Sequence, residues 1–185
     1  LRDGVDPNSL DPATAYVGLE HLPRRSTTLC EWGAAGDVGS TKLKYQPGDI
    51  LFGKIRPYFH KVAVMPTSGV CSSDAIVMRP RTVDHLPMAI GLTSSDAFVA
   101  HATQTSNGTK MPRADWKVLR EYALPIPDAD TLSKYNGAAR PWLDFSAALA
   151  ASITNLRTTR DLLLPKLISG EIEVRAVEEE LEAAA

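Results

Sequence analysis

Residues 54–61 bring together side chains that could bind a polyanion. Within eight residues this segment carries Lys54, Arg56, Tyr58, His60 and Lys61. Arginine can donate two hydrogen bonds to a guanine edge, lysine can contact a phosphate, and tyrosine or histidine can add hydrogen bonds or stacking. Pro57 favours a turn that would present these groups outward. The segment is therefore a candidate nucleic-acid contact. The alternative is a solvated hairpin end, and Phe59 is expected in the core.

A polar loop at residues 103–113 carries a second set of such groups. The dipeptide Asn107-Gly108 tolerates positive φ, so the chain can reverse tightly and turn backbone N–H groups toward a phosphate. Its carboxamides could pair with adenine and its cations with phosphate or guanine. The candidates in this loop are Gln104, Ser106, Asn107, Lys110 and Arg113. An ordinary polar surface loop is the alternative.

The distribution of charge along the chain supports binding to a nucleic acid better than the net charge does. The 185-residue chain has a formal net charge of −2. Residues 42–120 nevertheless carry eleven basic and five acidic side chains, whereas residues 171–185 carry six glutamates and one arginine. Released counterions supply much of the free energy of binding to a nucleic-acid backbone, and a local basic surface is sufficient for that. A chance excess of solvated lysine and arginine would give the same composition.

Other kinds of site find little support. The four histidines lack metal-ligand spacing, and residues 72–74 (SSD) favour a turn or cap over a catalytic fragment. Cys30 and Cys71 form neither a zinc motif nor a disulfide framework, so we expect two thiols in a reducing cytoplasm. No apolar run of membrane-spanning length is present, so no membrane partner is expected.

The first 127 residues predict an α+β domain rich in strands, with a mixed or antiparallel sheet. Short apolar runs bounded by turn residues predict strands at residues 15–19, 49–55, 61–65 and 74–78. Residues 84–102 have helical spacing, a short helix is expected near residues 115–119, and residues 122–127 indicate an edge strand closed by prolines. Trp32, Trp116 and Trp142 are expected in the core or at a helix interface.

Residues 128–175 predict a helical arm, followed by an acidic tail at residues 176–185. Asp128 or Asp130 can cap the first helix, and Pro141 either kinks it or begins a second one. Pro165 and Gly170 are expected to end the arm before a short strand at residues 171–174. A narrow apolar stripe follows its length, with a proposed seam of Phe145, Leu149, Ile153, Leu156 and Leu163. Such a stripe favours a partner helix, as in a coiled coil, and packing on the chain's own domain is the alternative.

Six segments resemble the specificity subunits of type I restriction–modification systems, and they occur in the family's order. They are residues 16–22 (YVGLEHL), 48–58 (GDILFGKIRPY), 71–74 (CSSD), 106–113 (SNGTKMPR), 124–127 (LPIP) and 160–172 (RDLLLPKLISGEI). No single segment is specific, but the ordered set covers nearly the whole chain.

The resemblance implies a target-recognition domain followed by a conserved spacer helix. Such units occur in tandem in this family, with paired antiparallel helices, and each domain reads half of a split DNA site. Methyltransferase subunits supply S-adenosylmethionine and the chemistry, and restriction subunits supply cleavage. This chain has one such unit. It is therefore expected to be a half-length subunit, pairing with itself or another half, or a fragment of a longer one.

Two other functions compete with sequence-specific DNA recognition. A small DNA-modifying enzyme is disfavoured because the sequence has no glycine-rich methyl-donor loop, no Asn/Asp-Pro-Pro-Tyr tetrapeptide and no carboxylate–lysine nuclease cluster. A coiled-coil protein-interaction module would use the helical seam alone. Loss of salt-sensitive DNA binding on substitution of Lys54, Arg56 or Arg113 would distinguish recognition from interaction.

Overall fold

The computed structural model describes residues 1–172 as two sheets, three short helices and one long helix. The strands are β1 (Gly4–Val5), β2 (Ala15–Val17), β3 (Gly33–Ala34), β4 (Lys42–Tyr45), β5 (Ile50–Gly53), β6 (Val62–Val64), β7 (Gly69–Cys71) and β8 (Ala75–Met78). The helices are α1 (Leu86–Thr93), α2 (Asp96–Gln104), α3 (Trp116–Leu119) and α4 (Ala129–Ile168). The acidic tail predicted at residues 176–185 and the end of the strand predicted at 171–174 lie outside the described residues.

The strands form one mixed sheet and one antiparallel sheet. The mixed sheet has the order β1-β4-β7-β2-β3, in which only β2 and β7 are parallel among the described strands. The second sheet has the order β6-β5-β8 and is antiparallel throughout. With the long helix that follows, this architecture confirms the predicted α+β class.

Strand β5 lies in the middle of three layers, which explains its continuous apolar run. Successive strand residues point to opposite faces of a sheet. Leu51 accordingly packs in the core between the two sheets, whereas Ile50 and Phe52 pack in a second core against α1 and α2. Both faces of β5 are buried, so its sequence shows no polar alternation.

One of two sequence expectations about the layer of helices is wrong. Residues 84–102 are helical as expected and form two helices, because Ser95 begins a new helix by accepting a hydrogen bond from the backbone of Phe98. Residues 122–127 form no strand. Pro125 and Pro127 have no N–H to pair, and Tyr122 instead packs its ring against Phe98.

An ion pair between a buried carboxylate and an exposed guanidinium joins the start of β5 to the end of β8. Asp49 is 1% exposed, and its two carboxylate oxygens accept hydrogen bonds from Arg79 Nε at 2.6 Å and from its terminal nitrogen at 2.7 Å. The backbone N–H of Gln46 donates a third hydrogen bond at 2.9 Å. These hydrogen bonds raise the pKa of Arg79.

Arg79→Met is expected to lower the free energy of unfolding by about 3 kcal/mol, because it leaves the buried Asp49 carboxylate without its counterion. Arg81→Met removes a nearby exposed cation and is the matched control, with an expected change within about 0.5 kcal/mol. Urea unfolding at neutral pH measures both. Equal losses in the two variants would show that the pair contributes no specific stability.

Helix α4 is one continuous helix of 40 residues, about 60 Å long at 1.5 Å per residue. Asp128 caps it by accepting the backbone N–H of Thr131 at 2.7 Å, a hydrogen bond that lowers the pKa of Asp128. Pro141 was expected to kink the helix or to begin a second one, and Pro165 was expected to end it. The helix instead continues through both prolines. Each proline removes one backbone hydrogen bond, and the remaining turns hold the helix together. It ends just before Gly170, which has a φ of +73°.

One face of α4, as far as Thr154, packs on the chain's own domain. Arg140 donates to the carbonyl of Val83 at 2.8 Å, and Thr154 donates to the carbonyl of Cys30 at 3.2 Å. Ala150 is buried between these points. From residue 158 to residue 171 every side chain is exposed. Packing on its own domain therefore supports only part of the helix, and the remainder projects.

Candidate nucleic-acid interface

The two candidate segments, far apart in sequence, lie side by side in the structure. The backbone N–H of Arg56 donates to the carbonyl of Pro112 at 2.8 Å, and that of Ala114 donates to the carbonyl of Lys54 at 2.9 Å. Ile55 and Arg113 form the antiparallel bridge between them. The end of β5 and the chain before α3 therefore form one continuous surface.

Residues 107–113, which we call the recognition loop, close on themselves. Asn107 and Arg113 exchange backbone hydrogen bonds of 3.0 and 2.8 Å. Gly108 has a φ of +99°, and a Cβ at that position would lie 3.2 Å from the carbonyl oxygen of Met111. The loop thus holds Lys110 and Met111 exposed at its tip. Its backbone requires glycine at residue 108, as the sequence predicted.

A groove of about 940 Å³ runs beside the recognition loop. Its polar and aromatic lining includes Arg2, Lys54, Asn107, Arg113, Trp116 and Lys117, and we call it the basic groove. Asp115 also lines the groove, and the Asp74 carboxylate lies 3.9 Å from Arg113, so two carboxylates offset part of this positive charge. The arrangement concentrates positive charge beside hydrogen-bonding groups, as a phosphate backbone requires.

Sequence reasoning missed Arg2, Trp116 and Lys117 as members of this surface. Trp116 was expected in the core or at a helix interface, yet it is 41% exposed and lines the groove. Asp115 caps the short α3 by accepting a hydrogen bond from the backbone N–H of Lys117 at 2.9 Å. This cap fixes the backbone from which the side chains of Trp116 and Lys117 extend. The sequence signal that could have identified them is the capping residue Asp115, which places Trp116 and Lys117 in the first turn of a helix directly after the loop.

Residues 56–60, which we call the arginine turn, adopt a strained backbone beside the recognition loop. Arg56 and His60 have φ values of +48° and +54°. Arg25 has a φ of +53°, and its backbone N–H donates to the carbonyl of His60 at 3.0 Å. Such left-handed conformations cost non-glycine residues about 1–3 kcal/mol each and cluster where function fixes the backbone. At the apex of the turn, Tyr58 is 50% exposed.

The structure argues against a direct DNA contact by His60. Its side chain is only 7% exposed, its Nε2 lies 2.7 Å from the carbonyl oxygen of Ser94, and its Nδ1 lies 3.5 Å from Asp96. The ring therefore anchors the arginine turn to the N-terminus of α2. Phe59, expected in the core, is half-buried.

The remaining candidates differ in how freely they can reach a ligand. Lys61 donates to the carbonyl of Leu19, and burial followed by the charge of Arg24 lowers the pKa of Lys61. Ser106 donates to the carbonyl of Thr103 at 2.7 Å and so ends α2. The exposed candidates are Gln104, Asn107, Lys110 and Arg113, whereas Lys54 and Arg56 are half-buried.

The seam residues of α4 are exposed on a face that does not touch the domain. Each of Phe145, Leu149, Ile153, Leu156 and Leu163 is exposed. Leu149 precedes the buried Ala150, and consecutive helical residues lie about 100° apart around the axis. The seam and the packed face are therefore distinct. Trp142, 71% exposed, extends the apolar surface toward the N-terminus of the helix.

Comparison with known proteins finds similarity to a type I restriction enzyme specificity subunit. No family model matches the chain. The sequence is 27% identical over 194 residues to the type I restriction enzyme EcoDI specificity subunit of Escherichia coli. The alignment covers 93% of this chain and 43% of that protein. The chain resembles one half of a type I specificity subunit. The resemblance drawn from the ordered segments is thereby confirmed.

Solved type I structures share the fold. A chain from a type I R-M system, studied for complex assembly and conformational transition, aligns with a TM-score of 0.62 at 18% identity, covering 94% of this chain and 47% of that one. The HsdS subunit from Thermoanaerobacter tengcongensis aligns with a TM-score of 0.60 at 19% identity, covering 92% and 44%. This chain spans about half the length of the relatives it matches.

Neither a metal site nor a membrane span is found within residues 1–172. No three histidine, cysteine, aspartate or glutamate side chains of this part come together as a metal site. No helix of this part is both long and apolar enough to cross a membrane.

Proposed function

We propose that this chain recognises half of a split DNA site as a non-catalytic specificity module of a type I restriction–modification complex. The observation that carries the proposal is the pairing of residues 54–56 with residues 112–114, which joins the arginine turn, the recognition loop and the basic groove into one cationic surface. Double-stranded DNA is the ligand whose regularly spaced phosphates and base edges fit such a surface.

Methyltransferase and restriction subunits are the protein partners that this function requires. S-adenosylmethionine then belongs to the methyltransferase subunit, and this chain itself carries no cofactor and performs no catalysis. The exposed seam of α4 pairs with a second copy of the chain or with another half-subunit, and thereby fixes the distance between two recognition domains. The reducing cytoplasm is the proposed compartment, in keeping with the free thiols of Cys30 and Cys71.

Salt-dependent binding tests this function. Fluorescence anisotropy of a mixed-sequence duplex should show affinity that falls steeply between about 50 and 200 mM salt, because each phosphate contact contributes a slope of about −0.9 in log–log form. Absence of duplex binding at low salt, with and without the methyltransferase subunit, would refute the proposal.

A coiled-coil interaction module is the second candidate, and the exposed seam is the observation that favours it. Such a module would associate through α4 and show no salt-sensitive affinity for DNA. Measuring solution mass beside duplex binding separates the two functions, because only the DNA reader gives both results.

Gly108→Ala is expected to weaken duplex binding about fivefold while leaving the fold intact. An added Cβ at a φ of +99° meets the Met111 carbonyl oxygen at 3.2 Å, and a strain of about 1 kcal/mol in the binding conformation lowers affinity accordingly. Gly39→Ala, where no atom lies within 4 Å of the added Cβ, is the matched control. Unchanged affinity for Gly108→Ala would remove the recognition loop from the interface.

A further inference from the structure

The arginine turn is joined by a second arginine from a distant part of the chain. Arg24 Cζ lies 4.1 Å from the centre of the Phe59 ring, and Arg56 Cζ lies 5.9 Å from the same centre. Both distances are within the range of a cation–π interaction. The half-buried Phe59 therefore holds two guanidinium groups near one another, at the base of the exposed Tyr58.

These two guanidinium groups retain unused hydrogen-bonding capacity. Among residues 1–172, neither Arg24 nor Arg56 has a side-chain hydrogen bond or a carboxylate within ion-pair distance. The Nε of Arg56 is buried, so the terminal nitrogens of its guanidinium are the donors that an external ligand could reach. The adjacent Arg25 differs, because it pairs with Asp96 at 3.1 Å. A preorganised arginine without an internal acceptor is suited to an external planar acceptor pair.

The cations of the basic groove have a different character. Lys54 and Lys117 present flexible ammonium groups, which act as point charges toward phosphates. By contrast, Arg24 and Arg56 present planar groups beside the Phe59 ring, and Arg56 also lies on a strained backbone. Planar, restrained donors favour two-point reading of a base edge, whereas a phosphate contact tolerates flexible ones.

We propose that Arg24 and Arg56, held against Phe59, read guanine in the major groove, whereas the basic groove contacts phosphates. The assignment rests on the proposed function, since it names the bases that the same interface selects. Guanine is the base that offers two acceptors, O6 and N7, in the geometry of one guanidinium. The positive charge of Arg24, which contributes to the lowered pKa of Lys61, also favours an electronegative base edge there.

Conservative variants provide the test. The wild-type chain first selects its preferred duplex from a randomised library, and the affinity for that duplex is then measured with each guanine replaced in turn by 7-deazaguanine, which lacks the N7 acceptor. One or two such replacements should weaken wild-type binding about tenfold. Arg24→Lys or Arg56→Lys should reduce the sensitivity to its guanine, because lysine can still donate to N7 or O6 but lacks the planar two-donor geometry of a guanidinium, while the charge over Phe59 is preserved.

Lys54→Ala is the matched control, because it should weaken all duplexes about equally and keep the wild-type sensitivity to 7-deazaguanine. Thermal unfolding of the two lysine variants should match the wild type. If these variants keep every base preference, or lose affinity uniformly as a phosphate contact would, the guanine assignment is wrong although DNA recognition stands. If the wild type selects no sequence at all, the proposed function and this assignment both fail.

Discussion

Replacing Lys54 and Arg113 together by alanine is expected to weaken duplex binding about 100-fold at ~100 mM salt. Both side chains line the basic groove, and the segments that carry them are hydrogen-bonded to each other. Loss of two charge-assisted contacts at about 1.4 kcal/mol each gives this change. The slope of log affinity against log salt should also become shallower by about 1.8, because two fewer phosphates are neutralised. Anisotropy titrations at several salt concentrations measure both quantities.

The matched control removes the same charge elsewhere. Arg81→Ala with Lys134→Ala deletes two exposed cations outside both paired segments, and Lys134 is held only by an exposed ion pair with Asp130. Its affinity should change by less than about threefold, and its salt slope should stay near that of the wild type. Equal effects in the two double variants would mean that net charge alone governs binding, and the groove would lose its assigned role.

The second large effect is expected on α4. Leu149→Asp with Leu156→Asp should convert a paired chain into a monomer at micromolar concentration, since two carboxylates would be buried at the centre of the helical seam. The domain itself should remain folded, because both leucines are exposed and the packed face of the helix is a different one. Sedimentation equilibrium gives the mass, and circular dichroism reports the fold.

The control is a pair of substitutions on the same helix that lie outside both the seam and the face packed on the domain. Ala148→Asp with Leu162→Asp adds the same charge at exposed positions away from the seam and from the buried Ala150. This variant should associate as the wild type does. Wild-type protein that is monomeric alone and with the methyltransferase subunit would show that the exposed stripe pairs with nothing in this system.

Periodicity and turn chemistry carried most of the fold prediction. The apolar run around Ile50 predicted a strand, and Asp128 or Asp130 was expected to cap the first helix; the structure has strand β5 and an N-cap at Asp128. The failures have local causes. Ser95 competes for the helix backbone and starts a new helix, whereas the prolines at 141 and 165 are tolerated because the neighbouring turns of α4 hold them in place.

The candidate site was predictable only where it is continuous in sequence. Residues 54–61 and 103–113 were proposed from their own composition, but the pairing of the two segments depends on long-range backbone hydrogen bonds that no local pattern encodes. Arg24 was missed for the same reason, because only the fold brings it over Phe59. His60 was chosen for its chemistry, yet packing against Ser94 buries it. Residue type identifies what a side chain can do, whereas tertiary structure decides what it can reach.

Selection from a randomised duplex library by the wild-type chain, followed by sequencing of the bound fraction, tests the DNA-reading assignment most directly. The surface formed by residues 54–61 and 107–113 predicts enrichment of one short motif, either alone or as two copies at a fixed spacing when α4 is paired. It also predicts that Lys54→Ala with Arg113→Ala lowers recovery of that motif sharply. A bound fraction with the same base composition as the input, with or without the methyltransferase subunit, would contradict the assignment.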